Sequence, residues 1–235
     1  MTVDEVMREL ERLGNPTTKR TLMKHGAREP CFGVKIEELK KLHKRFKGDH
    51  ALALALFETG NADAMYLAGI AADPAQMKKS DLKRWAKGAH WSMLSDYAVA
   101  GVAAESPHAR ELGWEWIDSK LELIAGAGWA TLTGWVSITP DDELPLGELK
   151  KLLDRVAREI HTAKNRTRYS MNGFVIGVAA YVEPLMAHAY KVAKKIGAVE
   201  VDMGDTSCKV PLATEYIDKI RTMGRIGRKR KSARC

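Results

Sequence analysis

Apolar residues recur every three or four positions along most of the chain. In residues 2–14 they are Val6, Leu10 and Leu13, with Gly14 as a stop. This spacing places an apolar stripe along one side of a helix. The same pattern predicts further helices over residues 17–25, 36–46, 51–59, 64–72, 80–87, 89–104, 107–118, 120–138, 146–161, 165–182, 184–196 and 214–223. Residues 198–210 alternate briefly instead, which predicts a small hairpin or an extended loop.

The most apolar helices alternate with more polar ones. Residues 64–72, 91–104, 121–138 and 165–182 are the apolar set. Helix pairs that repeat at roughly 30–45 residues and alternate in this way are typical of a two-layer solenoid. We therefore predict an all-α protein, an α-solenoid of HEAT-like helical-hairpin repeats with a concave surface for a partner. A globular helical bundle is the alternative that the pattern leaves open.

Charge divides the chain into two parts. Of the 38 Lys and Arg residues, eight lie in residues 219–235, which contain no acid, so the remaining 30 cations balance 30 acids. We predict a single repeat domain over residues 1–218 and a basic C-terminal tail over 219–235. A basic tail can hold phosphate groups without sequence specificity, because it releases their counterions. A solvated tail without a partner is the other interpretation.

Several classes of protein are disfavoured by the composition. No apolar run is long enough to cross a membrane, and the first residues, MTVDEVMREL, resemble a charged amphipathic helix rather than a signal peptide. The cysteines Cys31, Cys208 and Cys235 have no metal-ligand or disulfide spacing. We find no phosphate-binding glycine loop and no paired histidines. A cytoplasmic protein without metal or cofactor is the expectation.

The helix over residues 89–104 carries a carboxylate, Asp96, in its middle. At about 100° per residue, Asp96 lies opposite the stripe that contains Met93, Leu94 and Tyr97. Aspartate is a poor residue for a helix interior. It therefore belongs either to a solvated outer face or to a groove that a ligand or nucleic acid approaches, with Trp91 beside it.

Cations and aromatic residues give further candidates for DNA contact. Tryptophans in the central helices can fill a core or can stack on bases in a groove, and basic runs near them can follow phosphates. Arginines at the start of the helix over 165–182 would attract an anion or would join one repeat to the next. The DNA-binding candidates are Lys78, Lys79, Lys83, Arg84, Lys87, Trp129, Arg166, Arg168, Phe174, Arg225, Arg228, Lys229, Arg230 and Lys231.

Four segments resemble the DNA alkylation repair family, the HEAT-like repeat DNA glycosylases. They are Gly33-Val34 before a lysine-rich helix, NADAMYLAGIAADP at 61–74, WSMLSDY at 91–97 and GRKRK at 227–231. The resemblance implies repeats that hold double-stranded DNA in a basic groove. It also implies excision of N3- or N7-alkylated purines by hydrolysis of the N-glycosidic bond, without metal or cofactor.

The resemblance assigns the chemistry to Trp91 and Asp96. Trp91 would pack on the nucleotide, and Asp96 would stabilise the sugar cation and orient water. Leu132 and Phe174 stand where the family has an arginine and a second tryptophan, and the carboxylate comes one residue later than in the family, at Asp96 rather than Ser95. One residue turns a helical side chain by about 100°, so we expect Asp96 to be displaced.

These departures leave three hypotheses. The protein is a DNA glycosylase that excises alkylated purines, a non-catalytic binder of damaged or branched DNA, or a helical-repeat scaffold for another protein. DNA affinity that falls steeply with salt separates the first two from the third.

Overall fold

The computed structural model describes residues 1–234, which are helical almost throughout. A π-helical turn, Leu94–Val99, runs directly into α7, and short 3₁₀ turns lie at Pro74–Gln76, Asp141–Glu143 and Glu183–Leu185. The helices are α1 (Val3–Leu13), α2 (Pro16–Lys24), α3 (Ile36–His43), α4 (His50–Glu58), α5 (Ala62–Ala71), α6 (Lys79–Gly88), α7 (Ala100–Glu105), α8 (Ala109–Ile117), α9 (Glu122–Ile138), α10 (Leu146–Glu159), α11 (Asn165–Tyr181), α12 (Met186–Ile196) and α13 (Ala213–Thr222).

The helices pack in two layers, as predicted for HEAT-like repeats. The inner layer places α5, α7 with its π turn, α9 and α11 side by side in chain order. The outer layer is formed by α4, α6, α8, α10 and α12. The inner helices are the apolar set of the sequence because they are covered on several sides, and the outer helices keep a polar side for water.

Close approach between neighbouring helices depends on small residues. A side chain at Gly69 of α5 would come within 2.6 Å of Ala98, and one at Gly128 of α9 would come within 2.6 Å of the Ile117 backbone in α8. Such contacts are shorter than van der Waals separation. Any larger residue at either position would therefore force the helices apart.

Two apolar clusters fill the space between the layers and meet at α8 and α9. In the first, the rings of Phe57 and Trp85 stack with their centroids 4.2 Å apart. In the second, the rings of Trp129 and Phe174 pack with their centroids 5.1 Å apart. Among the described residues, no helix is both long and apolar enough to cross a membrane.

The predicted helices are present, and one detail of the prediction is wrong. The helix placed over 107–118 begins at Ala109, because the Ser106 hydroxyl accepts the His108 N–H and forms a turn before it. Of the two alternatives for residues 198–210, the structure has the loop and no strand: Asn165 in α11 binds the backbone of Asp202 through both its amide atoms, so this segment is held by a helix. The division into a domain over 1–218 and a tail stays a prediction, with residue 218 lying inside α13.

A buried carboxylate joins the loop after α2 to the inner layer. Asp63, 3% exposed, accepts hydrogen bonds from the backbone N–H groups of Phe32 (2.6 Å), Gly33 (3.1 Å) and Val34 (2.8 Å). Three donors therefore satisfy one anion near the first turn of α5, where the helix dipole also favours negative charge.

Removing this anion is expected to destabilise the protein. Asp63→Ala leaves three buried or half-buried N–H groups without an acceptor, which costs about 3 kcal/mol or more. Chemical denaturation measures the change. Asp142→Ala is the control, since Asp142 is exposed and its side chain makes no hydrogen bond or ion pair within residues 1–234; we expect a change within about 0.5 kcal/mol there. Equal effects of the two substitutions would contradict this role of Asp63.

Candidate nucleic-acid interface

The side of the inner layer that faces away from the outer layer carries the candidate site. We call it the inner face and define it by the residues that line one pocket there. These residues are Ile36, Lys40, Tyr66, Gly69, Ile70, Asp96, Tyr97, Ala98, Gly101, Ala130, Gly134, Ala233 and Arg234. Its floor is formed by small residues, which keep the helix backbones close to any bound molecule.

The π turn determines where Asp96 lies. In this turn the Ala100 N–H bonds to the Ser95 carbonyl, five residues back. A π turn holds more residues than an α turn, and such turns are frequent at functional sites. The predicted displacement of Asp96 applies to a regular α-helix, whereas this segment is a π turn, and Asp96 lines the inner face. This placement excludes the solvated outer face. That the position of Asp96 differs from that of the family's carboxylate stays a prediction.

Two serines hold the Asp96 carboxylate. Ser95 Oγ donates to one oxygen at 2.8 Å, and Ser170 Oγ of α11 donates to the other at 3.0 Å. Each hydroxyl has a second acceptor within reach, the carbonyl of Ser92 or of Arg166. The two serines are therefore compatible with a charged or a protonated Asp96. If Asp96 is protonated, a serine hydroxyl that no longer donates to it can donate to the backbone carbonyl instead. Gly126 of α9 makes room for the group; a side chain there would lie 3.1 Å from its oxygen.

Burial raises the pKa of Asp96 to about 6. The serine hydrogen bonds and the charge of Arg166 act in the opposite direction, and the Glu122 carboxylate adds to the rise. Removal from water penalises the charged form, and this effect exceeds the two hydrogen bonds. A carboxyl group with this pKa can exchange a proton near neutral pH.

Trp91 lies at the edge of the site, where it lines a pocket together with Arg28 and Arg166. Its side chain is 5% exposed, and its Nε1–H donates to the His25 carbonyl at 2.7 Å. The indole therefore anchors the loop after α2 to the start of the inner helix. In this arrangement Trp91 offers almost no surface to a nucleotide, unlike the tryptophan that the resemblance implies.

Trp129 and Phe174, two of the predicted DNA contacts, are core residues. They are 1% and 0% exposed and pack on each other, and Leu132 is fully buried near them. Enclosed side chains cannot stack on a base, so this part of the prediction is wrong. The apolar environment also explains why leucine and phenylalanine fit positions where the resemblance has arginine and tryptophan.

The cations of α6 lie in the outer layer rather than along the inner face. Lys79 and Lys83 pair with Glu111 and Glu115 of α8, and Arg84 pairs with Glu58 of α4 at 2.7 Å. The predicted phosphate track is therefore a set of ion pairs between outer helices. Lys78 and Lys87, at the two ends of the same helix, are exposed on that layer.

The starts of three inner helices meet at one edge of the inner face. Ser92, Glu122 and Arg166 line a common pocket there, together with Arg28 from the loop after α2. Arg28 is exposed and makes no ion pair among the described residues, and no sequence signal separates it from other surface arginines. Arg168, in the first turn of α11, lines a neighbouring pocket with residues 199–202. The Nε atoms of Arg166 and Arg168 are buried without a hydrogen-bond partner.

The basic tail is ordered along the opposite edge, where the same helices end. Arg225, Arg228, Arg230 and Lys231 are exposed, whereas Lys229 points inward to the Val136 carbonyl and to Asp141. Four of the five predicted tail contacts are therefore available to DNA, and Lys229 is already engaged. Within residues 1–234, no group of three His, Cys, Asp or Glu side chains could hold a metal ion.

Because the pKa of Asp96 is raised in the folded protein, the free energy of unfolding depends on pH. The folded protein keeps the proton up to about pH 6, and the unfolded chain loses it near the ordinary value of 3.8, so charged Asp96 destabilises the fold as the pH rises through this window. We expect Asp96→Asn to be more stable than the unsubstituted protein by about 1–3 kcal/mol at pH 8 and nearly equal to it at pH 4. Thermal unfolding across this range measures the difference; Asp142→Asn is the control, and a gap that does not change with pH would contradict the assignment.

Comparisons with known proteins agree with this architecture. The family model described as "DNA alkylation repair enzyme" matches residues 6–195. Two uncharacterized proteins, Lin0241 of Listeria innocua and Lmo0209 of Listeria monocytogenes, are each 34% identical over 227 residues, which is 94% of this chain and 98% of theirs. A solved structure described as "a new family of proteins related to the HEAT-like repeat DNA glycosylases with affinity for branched DNA structures" is 40% identical, with a TM-score of 0.92 and 100% of both chains covered. The chain belongs to the DNA alkylation repair family and has its HEAT-like repeat fold.

Proposed function

We propose that this protein binds DNA through its inner face and prefers branched DNA. The observation that carries the proposal is the placement of cations that make no ion pair within residues 1–234 at both edges of that face. Arg28, Arg166 and Arg168 lie where the inner helices begin, and the exposed tail cations lie where they end. The preference is supported by the affinity for branched DNA structures of the solved relative, which resembles this chain along its whole length.

The edge where the helices begin suits a phosphate backbone. Backbone N–H groups at helix starts carry partial positive charge, and arginines add full charges and planar donor groups. Contacts of this kind position a protein on DNA without reading its sequence. A protein that recognises a branch needs such contacts, since a junction is defined by the course of its backbones rather than by its bases.

The middle of the inner face suits unpaired bases. Tyr97 is 47% exposed, and it lines the pocket beside Asp96. An exposed aromatic ring can stack on any base that has lost its neighbour, as happens at a branch point. Linear duplex DNA offers such a surface only at its ends.

Base excision is the second candidate function, and Asp96 is the observation that favours it. The carboxylate lies on the inner face with a pKa of about 6, so a fraction remains protonated near neutral pH. As an anion it could stabilise the positive charge that develops on the sugar when an alkylated purine leaves. Trp91, Leu132 and Phe174 are buried and supply no partner for this step, so we place binding first.

We expect tighter binding to a four-way junction than to linear duplex with arms of the same sequence, and a steep loss of affinity with salt.

Tyr97→Ala should weaken junction binding by about 1–2 kcal/mol, roughly 5- to 30-fold, because a stacked base loses its aromatic partner. Titration by fluorescence anisotropy measures both. Tyr216→Ala is the control, an equally exposed tyrosine on α13 outside the inner face. Equal affinity for junction and duplex would count against the branched preference, and the absence of any salt-sensitive binding would count against DNA as the partner.

Base release is a separate test. Duplex DNA that carries N7-methylguanine or N3-methyladenine is incubated with the protein, and the freed base is quantified. We expect no release beyond the uncatalysed rate, since the burial of Trp91, Leu132 and Phe174 leaves Asp96 without a partner. Release by the unsubstituted protein that Asp96→Asn abolishes would instead establish the second candidate.

A further inference from the structure

Residues 224–234 form an ordered segment, here called the strap, across the ends of four inner helices. The Gly227 N–H donates to the Ala180 carbonyl of α11 at 2.9 Å, and the Arg230 N–H donates to the Ser137 carbonyl of α9 at 2.7 Å. Further along, the Ala233 N–H donates to Glu105 of α7 at 2.8 Å. Arg234 then reaches the end of α5, so the strap passes the inner helices in reverse chain order.

Two cations of the strap point inward. Arg234 pairs with Glu105 at 2.9 Å and donates to the Ala72 carbonyl at 2.8 Å and to the Gly69 and Ile70 carbonyls at 3.3 Å. Lys229 donates to the Val136 carbonyl at 3.0 Å and pairs with Asp141 at 2.8 Å. Helix C-termini carry partial negative charge and unpaired carbonyls, so cations placed there stabilise them.

The inner helices are shaped to receive the strap. A side chain at Gly101 of α7 would lie 2.9 Å from the Arg234 Cγ, and one at Gly134 of α9 would lie 3.2 Å from the Ala233 Cβ. The strap also affects the charge of Glu105. Burial by itself would raise the pKa of this carboxyl group, but the hydrogen bond from Ser232 and the positive charge of Arg234 hold its pKa below the ordinary value. Glu105 therefore remains a carboxylate that fits the strap.

The four other cations of the strap are exposed to solvent. Arg225, Arg228, Arg230 and Lys231 make no ion pair within residues 1–234. Without the strap, this edge would present helix carbonyls and the carboxylates of Glu105 and Asp141, all of which repel phosphate. With the strap in place, the same edge presents a row of cations on a fixed backbone.

We propose that the strap reverses the charge of this edge and forms a docking surface for a second DNA backbone, opposite the edge that carries Arg28 and Arg166. The inference rests on the proposed function and deepens it. An interface with two positive edges can hold two DNA backbones at once, as two arms of a branched DNA would present them. The cations of the strap thus divide by direction: Lys229 and Arg234 hold the fold, and the exposed Arg225, Arg228, Arg230 and Lys231 face phosphate.

Docking of the strap is tested without DNA. Trypsin cleavage after residues 228–231 should be much slower in the folded protein than in a synthetic peptide of residues 224–234. Arg234→Ala should raise that cleavage rate by about tenfold, because it removes several charge-assisted hydrogen bonds while the cleavage sites stay unchanged. Cleavage of the unsubstituted protein at the rate of the peptide would overturn the strap.

The docking surface is tested by the salt dependence of junction binding. The triple substitution Arg228→Gln, Arg230→Gln and Lys231→Gln should lower the slope of log affinity against log salt by about 2–3, roughly one unit for each phosphate that is no longer neutralised. The control is Lys150→Gln, Lys151→Gln and Arg158→Gln on α10, which removes the same charge from exposed sites of the outer layer. We expect its slope to match that of the unsubstituted protein.

The outcomes separate this inference from the proposed function. Equal slopes for the two triple variants would overturn the docking surface, whether both are unchanged or both are reduced, and would leave DNA binding itself intact. Failure of the unsubstituted protein to bind any DNA would overturn both proposals, even if the trypsin result still establishes an ordered strap.

Discussion

The parallel packing of the inner helices is the constraint from which the interface follows. α5, α7, α9 and α11 all begin at one edge and end at the other, so their dipoles add instead of cancelling. One edge is thereby positive before any side chain is considered, and the other is negative. Close packing of Gly69 on Ala98, and of Gly177 in α11 on Thr133 in α9, keeps the inner helices near enough for this addition to matter. At the positive edge, arginines only add to a positive charge that the helix dipoles already provide. At the negative edge, the whole strap is needed to reverse the sign of the charge.

The same packing gives Asp96 its properties. The Asp96 carboxylate lies half-buried between α9 and α11, and the space beside Gly126 and the hydroxyls of Ser95 and Ser170 accommodate it there. Both hydroxyls can turn to a backbone carbonyl, so neither protonation state leaves a buried donor without a partner. The π turn that brings Asp96 there interrupts the regular helix, a local departure of the kind found where function outweighs regularity.

The sequence predicts the helices and their layers well, because periodicity and caps are local. The Thr2–Glu5 capping box marks the start of α1, and Asn15-Pro16 marks the start of α2. The site is less predictable, because its determinants are distant or have no signature in residue type. A π turn is a change of backbone hydrogen-bond register, and nothing in the letters around Asp96 specifies it. Lys79 and Arg84 look free until α8 and α4, 32 and 26 residues away, supply their carboxylates.

The strap shows why net charge alone says little about how a protein meets DNA. The eight cations of residues 219–235 account for the whole excess of positive charge, and as a free chain all eight would be equivalent. Contacts such as Arg234 with Glu105, 129 residues apart, remove that equivalence. Lys229 and Arg234 neutralise helix ends and carboxylates. The positive potential at the surface then comes from the few exposed cations, which are held at fixed positions. A polyanion approaching the inner face therefore meets two defined positive edges, with a floor of mostly small residues and the exposed ring of Tyr97 between them. This arrangement is a geometric constraint and not merely a general attraction.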